Sequence, residues 1–379
     1  MVRSHRKILA GATALVAAAG VTACSSSGNG SSGGGKLTKV TLQLQWVTQG
    51  QFAGYIAAYA KGFYKKQGLD VSIKPAGTDT VPQTTVDDGG PADFAIAWVP
   101  KALQSRENGA DITDVGQVFQ RSGTLQISFK KKDITDVGAL KGKHVGDWGF
   151  GNEYELFAGM TKNGLNPGSD VKIVQQQFDM NAFLAGDIDA AQAMIYNEYA
   201  QVLEAKNPAT GKLYQPSDLN VINWNDVGTA MLQDAIWANT KKLQDKKFQD
   251  TTVKFLTASY QGWIYCATHA QECRDDVVNS GSKLGASHQL WQVNEVNKLI
   301  WPSPQGIGMV DPAKWASTIQ IAQSTKNKDG KTVLTKAPTG EAYTNDFTEK
   351  ALANLKKMGL DTTGANFKPI TVTLNPGGS

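Results

Sequence analysis

Aromatic and amide side chains that follow a predicted strand near residue 46 are the first candidates for binding a small molecule. Val40, Leu42 and Leu44 alternate with polar residues, which is typical of a half-buried strand. Apolar residues at helical spacing then predict an amphipathic helix over 52–63. Because ligands of open α/β sheets bind beyond the carboxyl ends of the strands, side chains at this edge are placed to bind one. The residues at this edge that suit a flat molecule with a polar rim are Trp46, Gln49, Gln51, Phe52 and Tyr55. The alternative is that Trp46 and Phe52 belong to the hydrophobic core.

Later strand ends repeat this arrangement. Strands that alternate with helices indicate a mainly parallel sheet, and its later turns and strand ends carry Thr78, Trp98 and Gln120. The strand over 125–129 is expected to cross to a second lobe, where the pattern restarts. Further candidates follow the strands and open the helices of that lobe: Trp148, Asn152, Glu153, Tyr154, Asp179, Tyr196, Asn197 and Glu198. Their recurrence at one sheet edge is stronger support for a site than any single residue.

These residue types suit a flat nitrogen heterocycle, which needs aromatic faces and hydrogen bonds along its edges. A carboxylate paired with an aminopyrimidine edge would form a charge-assisted hydrogen bond. The helices that begin near Asn152 and Tyr196 also offer free backbone N–H groups to a phosphate or sulfonate, so an anionic ligand remains open. The alternative role of Glu153, Glu198 and Asp179 is to cap or charge the start of a helix.

The N-terminus predicts a lipoprotein signal peptide over residues 1–24. A basic start precedes an Ala-rich apolar run that is too short to span a bilayer well, and the segment ends in Val21-Thr22-Ala23-Cys24, which resembles a bacterial lipobox. Cys24 would then carry lipid, and the Ser/Gly-rich stretch 25–37 would be a flexible tether. An ordinary secretory peptide leaves Cys24 unexplained. The expected location is the outer face of a bacterial cell membrane.

The overall composition is that of an ordinary globular protein, with 379 residues, 41% hydrophobic and 19% charged. This length favours two domains. Basic residues of the signal peptide supply much of the formal net charge of +4, so nucleic-acid binding is not expected. In Gly149-Phe150-Gly151 the third glycine of a dinucleotide fingerprint would fall on Tyr154, and no other nucleotide or hydrolase motif is present. We therefore expect no metal and no cofactor.

Two cysteines remain once Cys24 is assigned to the lipid. Cys266 and Cys273 form an even pair in an oxidising compartment, which predicts a structural disulfide. A metal site is the weaker alternative, because only His269 lies between them and neither cysteine belongs to a CxxC pair.

Several short stretches resemble the periplasmic-type solute-binding proteins of ABC importers. They are the strand-end Trp46, Gly54-Tyr55, Lys61-Gly62-Phe63-Tyr64, Gly68-Leu69-Asp70-Val71, Ala92-Asp93-Phe94 and the stretch 184–190. More narrowly, the chain resembles the group that includes binders of thiamine pyrimidine precursors, of riboflavin and of alkanesulfonates. The resemblance covers roughly residues 38–320, and stretches such as 149–156 and 193–204 look most like the vitamin-binding branch.

This resemblance implies an α/β, two-lobed type II periplasmic-binding-protein fold, with two open, mainly parallel sheets joined by a two-strand hinge. Residues 38–125 would begin lobe 1, 126–230 would form lobe 2, and 231–379 would return to lobe 1 and add C-terminal helices. The implied ligand is riboflavin or the aminopyrimidine precursor of thiamine. It would sit in the cleft, and closure would present the monomeric protein to an ABC transporter permease.

Two other functions are kept as alternatives. The same group includes binders of alkanesulfonate or nitrate-type anions. The eukaryotic synthase that makes the thiamine pyrimidine also shares the fold, but its cysteine-rich iron motif has no counterpart here, and a lipid anchor would separate the chain from cytosolic cofactors. We therefore expect a binding protein rather than an enzyme. A lipoprotein whose cleft has lost its ligand is disfavoured by the density of strand-end aromatic residues.

Overall fold

The structure is a computed structural model that describes residues 36–379. Ten β-strands occur in these residues. They are β1 (Thr38–Gln43), β2 (Leu69–Lys74), β3 (Phe94–Trp98), β4 (Ile112–Gln117), β5 (Thr124–Phe129), β6 (His144–Asp147), β7 (Lys172–Gln175), β8 (Ala190–Met194), β9 (Leu219–Asn223) and β10 (Asp234–Asn239). The predicted signal peptide, the lipobox with Cys24 and nearly all of the predicted tether lie outside the described residues.

The strands form two sheets with the same internal order. The first sheet has the order β2-β1-β3-β10-β4 and the second β7-β6-β8-β5-β9. In each sheet the fourth strand, β10 or β5, is antiparallel to both of its neighbours, whereas the other ladders are parallel. β5 follows β4 in the chain but pairs in the second sheet, and β10 follows β9 but pairs in the first. The predicted pair of mainly parallel sheets joined by two crossing segments is thus confirmed, and the crossing strands make each sheet mixed.

The sequence of β3 explains its central position in the first sheet. Every residue of β3, FAIAW, is buried, as expected for a strand covered on both faces. The registers place apolar side chains side by side, with Val40 beside Val71 and Leu42 beside Phe94. The chain leaves this sheet between Gln117 and Thr124, and the lobe boundaries that we propose, near 125 and 230, fall at or near the two passages between the sheets.

Twelve α-helices occur in the same residues, and the five longest of them follow β10, so that the remainder of the chain is mostly helical. They are α1 (Ala53–Ala60), α2 (Phe63–Lys66), α3 (Val99–Glu107), α4 (Tyr154–Lys162), α5 (Asn181–Ala185), α6 (Glu198–Leu203), α7 (Trp224–Val227), α8 (Lys246–Thr268), α9 (Ala270–Asn279), α10 (Ala286–Ile300), α11 (Pro312–Ser324) and α12 (Asp346–Lys357).

Three local predictions need correction. The helix predicted over 52–63 is divided, because Gly62 takes a left-handed conformation with φ of 71° and separates α1 from α2. The sequence also predicts a short helix over 81–89 and a short helix and loop over 136–143, but these segments contain only the 3-10 helices Pro82–Val86 and Gly138–Leu140. Neither segment is long enough to form the apolar stripe of a helix.

Helices α1 and α8 pack at unusually close range because glycines meet at their contact. A Cβ atom on Gly54 would lie 2.2 Å from the buried Trp263 ring, and one on Gly262 would lie 1.9 Å from the carbonyl oxygen of Gly54. Tyr55 meets the same indole edge-on, with ring centres 5.6 Å apart. The Gly54-Tyr55 pair singled out in the sequence is therefore a packing feature.

Replacing Gly54 by alanine should destabilise the protein by about 2 kcal/mol, because the methyl group overpacks a contact that cannot expand. Urea unfolding should show a lower midpoint. Tyr59→Ala is a matched control on α1, since that side chain is 54% exposed and its loss should change stability by less than about 0.5 kcal/mol. An unchanged midpoint for Gly54→Ala would contradict the close packing.

Cys266 of α8 and Cys273 of α9 are joined by a disulfide, with Cα atoms 5.6 Å apart. Both cysteines are buried beside the first sheet's core. No helix within residues 36–379 is long and apolar enough to cross a membrane. In the same range no three His, Cys, Asp or Glu side chains are grouped so that they could hold a metal ion.

Candidate ligand-binding cleft

A cavity of about 570 Å³ is lined by residues from both halves of the chain. Its first wall comes from segments 45–51 and 77–83 and from the end of β3 with the start of α3; its second wall comes from segments 148–154 and 194–198, together with Phe178. This position beyond the strand ends of two sheets is where open α/β folds bind ligands, and the volume is that of a small-molecule site.

Most of the side chains predicted from the sequence line this cavity. They are Trp46, Gln49, Gln51, Thr78, Trp98, Trp148, Asn152, Glu153, Tyr154, Tyr196, Asn197 and Glu198. They reach it from strands that belong to different sheets, because the carboxyl ends of the strands in each sheet face the same gap. That these residues contact a ligand is our proposal.

The other predicted residues are placed elsewhere. Phe52 and Tyr55 are buried in the core of the first sheet, where α8 packs on the helix of Tyr55 and α10 packs on the 3-10 segment of Phe52. Gln120 is tied to the backbone, since its Nε2 donates to the carbonyl of Gln117 at 2.7 Å. Asp179 accepts hydrogen bonds from the backbone and side chain of Asn181, both at 2.9 Å, at the start of α5. The surroundings of Phe52 are those of the alternative given above, a core residue. The surroundings of Asp179 are likewise those of its alternative, a carboxylate at the start of a helix.

Several lining residues escaped the sequence analysis, notably Gln45, Lys101, Phe150 and Phe178. Phe178 directly precedes a predicted candidate, so a wider search of that loop would have included it. Phe150 is 77% exposed at the cavity and lies in the glycine-flanked loop that failed the dinucleotide pattern. Lys101 has the appearance of an ordinary helix lysine in the sequence, and no local signal marks it.

The aromatic walls of the two halves meet across the cavity. The Phe178 ring lies 4.8 Å from that of Trp46, tilted by 49°, and 6.0 Å from that of Trp148, nearly parallel at 17°. Such distances and angles are those of interacting aromatic pairs. Aromatic side chains of the two halves are thus in contact at the cavity, where Phe178 packs against both Trp46 and Trp148.

A buried carboxyl group, Asp234 at the start of β10, anchors lining side chains of the first half. It accepts hydrogen bonds from Nε1 of Trp98 at 2.9 Å, from Nε2 of Gln51 at 3.0 Å and from Nε2 of Gln45. Burial raises the pKa of Asp234 to about 7. Each of its partners donates, so the ionised carboxylate matches them best. The sequence analysis placed Asp234 only in the segment that returns to lobe 1, because its partners are far away in the sequence.

A chain of amide hydrogen bonds joins the two halves beneath the aromatic walls. Gln49 donates to Gln51 at 2.8 Å, and Gln292 of α10 donates both to Gln49 at 3.3 Å and to Asn197 at 3.0 Å. Asn197 in turn donates to Glu198 at 2.7 Å, and burial raises the pKa of Glu198. Residues from different parts of the chain are therefore held in one fixed arrangement at the cavity floor.

The two passages between the sheets are joined by Glu155 of α4. Its carboxyl accepts from the hydroxyl of Ser122 at 2.7 Å and from the backbone N–H of Met231 at 2.8 Å. Gln233 donates to Ser122 at 2.9 Å and to Thr124 at 2.7 Å. The hinge predicted from the family resemblance thus contains a buried, uncharged network around one carboxyl group, and burial raises the pKa of Glu155 to about 8.

Replacing Glu155 by glutamine should flatten the pH dependence of stability. Because the pKa of Glu155 is higher in the folded than in the unfolded chain, the folded state holds a proton between about pH 4.5 and pH 8 that the unfolded state has lost. The free energy of unfolding of the parent should therefore fall through this range, by on the order of 5 kcal/mol from this group. Urea midpoints at pH 5, 7 and 9 should fall less for the variant; parallel curves would contradict the assignment.

Comparison with known proteins agrees with this geometry. A family profile described as "NMT1/THI5 like" matches residues 49–273, which include the second cavity wall and all of the first except Gln45 and Trp46. The riboflavin-binding protein RibY of Chloroflexus aurantiacus is 24% identical over 330 residues, 82% of this chain and 86% of that protein. The 4-amino-5-hydroxymethyl-2-methylpyrimidine phosphate synthase of Schizosaccharomyces pombe is 26% identical over 153 residues, 40% of this chain and 43% of the enzyme.

The fold also matches solved structures. The periplasmic aliphatic sulphonate binding protein SsuA of Escherichia coli superposes with a TM-score of 0.57 and 16% identity, over 75% of this chain and 90% of that protein. This likeness establishes the fold alone, since the identity is low. The chain has the periplasmic-binding-protein fold and belongs to the NMT1/THI5-like family.

Proposed function

We propose that the protein is the extracytoplasmic solute-binding component of an ABC importer and that it captures a planar N-heteroaromatic vitamin or precursor. The observation that carries this proposal is the cavity, which has aromatic walls from both halves and amide groups along its floor. Riboflavin and the aminopyrimidine precursor of thiamine are the ligands that we favour within this class.

The shape and polarity of the cavity support a flat ligand. An aromatic ring system would stack on Trp46 or Trp98 from one half and on Trp148 or Phe178 from the other, while amides contact its nitrogen and oxygen atoms. Since the two walls belong to different sheets, binding would stabilise one relative position of the lobes. That position would be the form recognised by the permease.

The lipid anchor is part of the same proposal. Cys24 would hold the protein at the membrane, and the Ser/Gly-rich stretch 25–37 would let the monomeric binding unit reach its permease. Mass spectrometry of the protein extracted from its native membrane should show a mature chain that begins at a lipidated Cys24. An unmodified chain beginning elsewhere would contradict the anchor.

Capture without turnover is favoured over catalysis. The two cysteines in the described part of the chain are bonded to each other beside the core, and neither lines the cavity. The relatives nonetheless include a synthase, so the experiment must detect product as well as binding.

A ligand panel tests the proposal. The purified protein should be partially unfolded and refolded to remove any co-purified ligand, then titrated with riboflavin, 4-amino-5-hydroxymethyl-2-methylpyrimidine and taurine. We expect one heteroaromatic compound to raise the melting temperature and to be recovered unchanged. Protection by taurine alone would favour a sulfonate binder, recovery of a new product would favour an enzyme, and no protection by any compound would contradict the proposed ligand class.

A further inference from the structure

One cation in the cavity wall is not explained by the capture of a neutral ring. Lys101 lies in the first turn of α3, and its ammonium nitrogen is 4.8 Å from the centre of the Trp98 ring. The nitrogen donates a hydrogen bond to Oδ1 of Asn152 at 2.7 Å. Because Asn152 belongs to the other half of the chain, this bond spans the cavity.

No carboxylate neutralises this ammonium by direct contact. Within residues 36–379 no acidic side chain lies within 4.0 Å of Nζ of Lys101. An ammonium group has three N–H donors, and the neutral amide oxygen of Asn152 satisfies only one of them. The remaining donors are available for a group that enters the cavity.

The two carboxyl groups whose charges act on Lys101 have hydrogen-bond partners of their own. Asp234 accepts from Trp98 and Gln51, and Oε2 of Glu153 accepts from the backbone N–H of Gly151 at 2.9 Å. Burial lowers the pKa of Lys101 to about 8, against the opposing charges of Glu153 and Asp234. The side chain is therefore still mostly protonated at neutral pH, and its positive charge is poorly solvated.

We infer that Lys101 binds an acidic group of the ligand, so that the transported molecule is a planar heteroaromatic compound that also carries a phosphate, carboxylate or sulfonate. The inference rests on the function proposed above and narrows it from the neutral compounds favoured there to their acidic derivatives, such as their phosphate esters. The ring would stack on the aromatic walls, and Lys101 would donate hydrogen bonds to the oxyanion beside Trp98 and Asn152. An oxyanion would satisfy the free N–H donors through charge-assisted hydrogen bonds, which are stronger than those to a neutral acceptor.

Matched pairs of probes test this inference. Riboflavin and riboflavin 5′-phosphate form one pair, and 4-amino-5-hydroxymethyl-2-methylpyrimidine and its phosphate ester form the other. Calorimetric titrations should use the parent protein, Lys101→Met and the control Lys131→Met, which removes an exposed lysine outside the cavity. For the scaffold that binds, we expect the phosphate to bind the parent and Lys131→Met at least about tenfold more tightly than the neutral compound.

The Lys101→Met variant should lose this preference, so that it binds the two members of a pair with affinities within about threefold of each other. A structural role for Lys101, limited to the bond with Asn152, would instead weaken both members of a pair alike. Equal binding of the two members by the parent, or a preference that survives in Lys101→Met, would overturn the inference alone. Binding of neither scaffold would overturn the proposed ligand class together with the inference.

Discussion

Replacing Trp98 by alanine is expected to lower the affinity for the ligand about a hundredfold while the protein stays folded. The indole ends β3, lines the cavity and is fixed by its hydrogen bond to Asp234, so it offers a rigid stacking face. Loss of a stacked ring and of its buried apolar area corresponds to about 3 kcal/mol. The deleted ring borders an existing cavity, so the loss of stability should be smaller than for a core tryptophan.

Two further variants separate stacking from anchoring at this position. Trp98→Phe keeps an aromatic face but cannot donate to Asp234, and we expect an intermediate loss of affinity. Tyr59→Ala, on the exposed side of α1, should bind as the parent does. Calorimetric titration with the compound identified by the ligand panel provides the affinities. Parental affinity in Trp98→Ala would show that this ring belongs only to the core.

Replacing Asp234 by leucine should have the second large effect, on stability and binding together. The leucine cannot accept the hydrogen bonds that Asp234 receives from Trp98, Gln51 and Gln45, so buried donors lose their partner. Each such loss is worth about 1–3 kcal/mol, and the anchored side chains would no longer be held at the cavity. Ligand affinity should therefore fall at least about tenfold. Urea unfolding of the same variant should show a lower midpoint.

Asp234→Asn keeps the shape and one acceptor, so it should remain folded and bind with an affinity between those of the parent and Asp234→Leu. Asp88→Leu is a matched control, because that carboxylate is 71% exposed in an ion pair with Lys241 and should matter little for binding. If Asp234→Leu were stable and bound ligand as tightly as the parent, the anchoring role would be wrong.

Much of the cavity could be predicted because parallel strands bring their carboxyl ends to one edge. That rule places Trp46, Trp98 and Trp148 correctly at the gap between the sheets without any knowledge of their contacts. The same rule is insufficient for helix residues. Periodicity identifies the apolar face that carries Tyr55, but not its partner Trp263, which lies on a helix about two hundred residues later and covers it.

The polar residues that hold the cavity side chains in place could not be predicted from local sequence, because their partners are also distant along the chain. Asp234 and Gln292 act on cavity residues that are distant in sequence, and only the folded chain brings the donors and acceptors together. Lys101 was missed because a helix lysine is usually solvated, and nothing in its neighbours indicates that it faces a cavity. Tertiary contacts, rather than motifs, define these positions.

The proposed function depends on a planar ligand that contacts aromatic side chains from both halves of the chain. A crystal structure of the complex with the tightest-binding heteroaromatic probe tests this most directly. We expect its ring system inside the cavity, in contact with Trp98 from the first half and with Trp148 or Phe178 from the second. A probe bound outside the cavity, or touching only one half of the chain, would contradict the account.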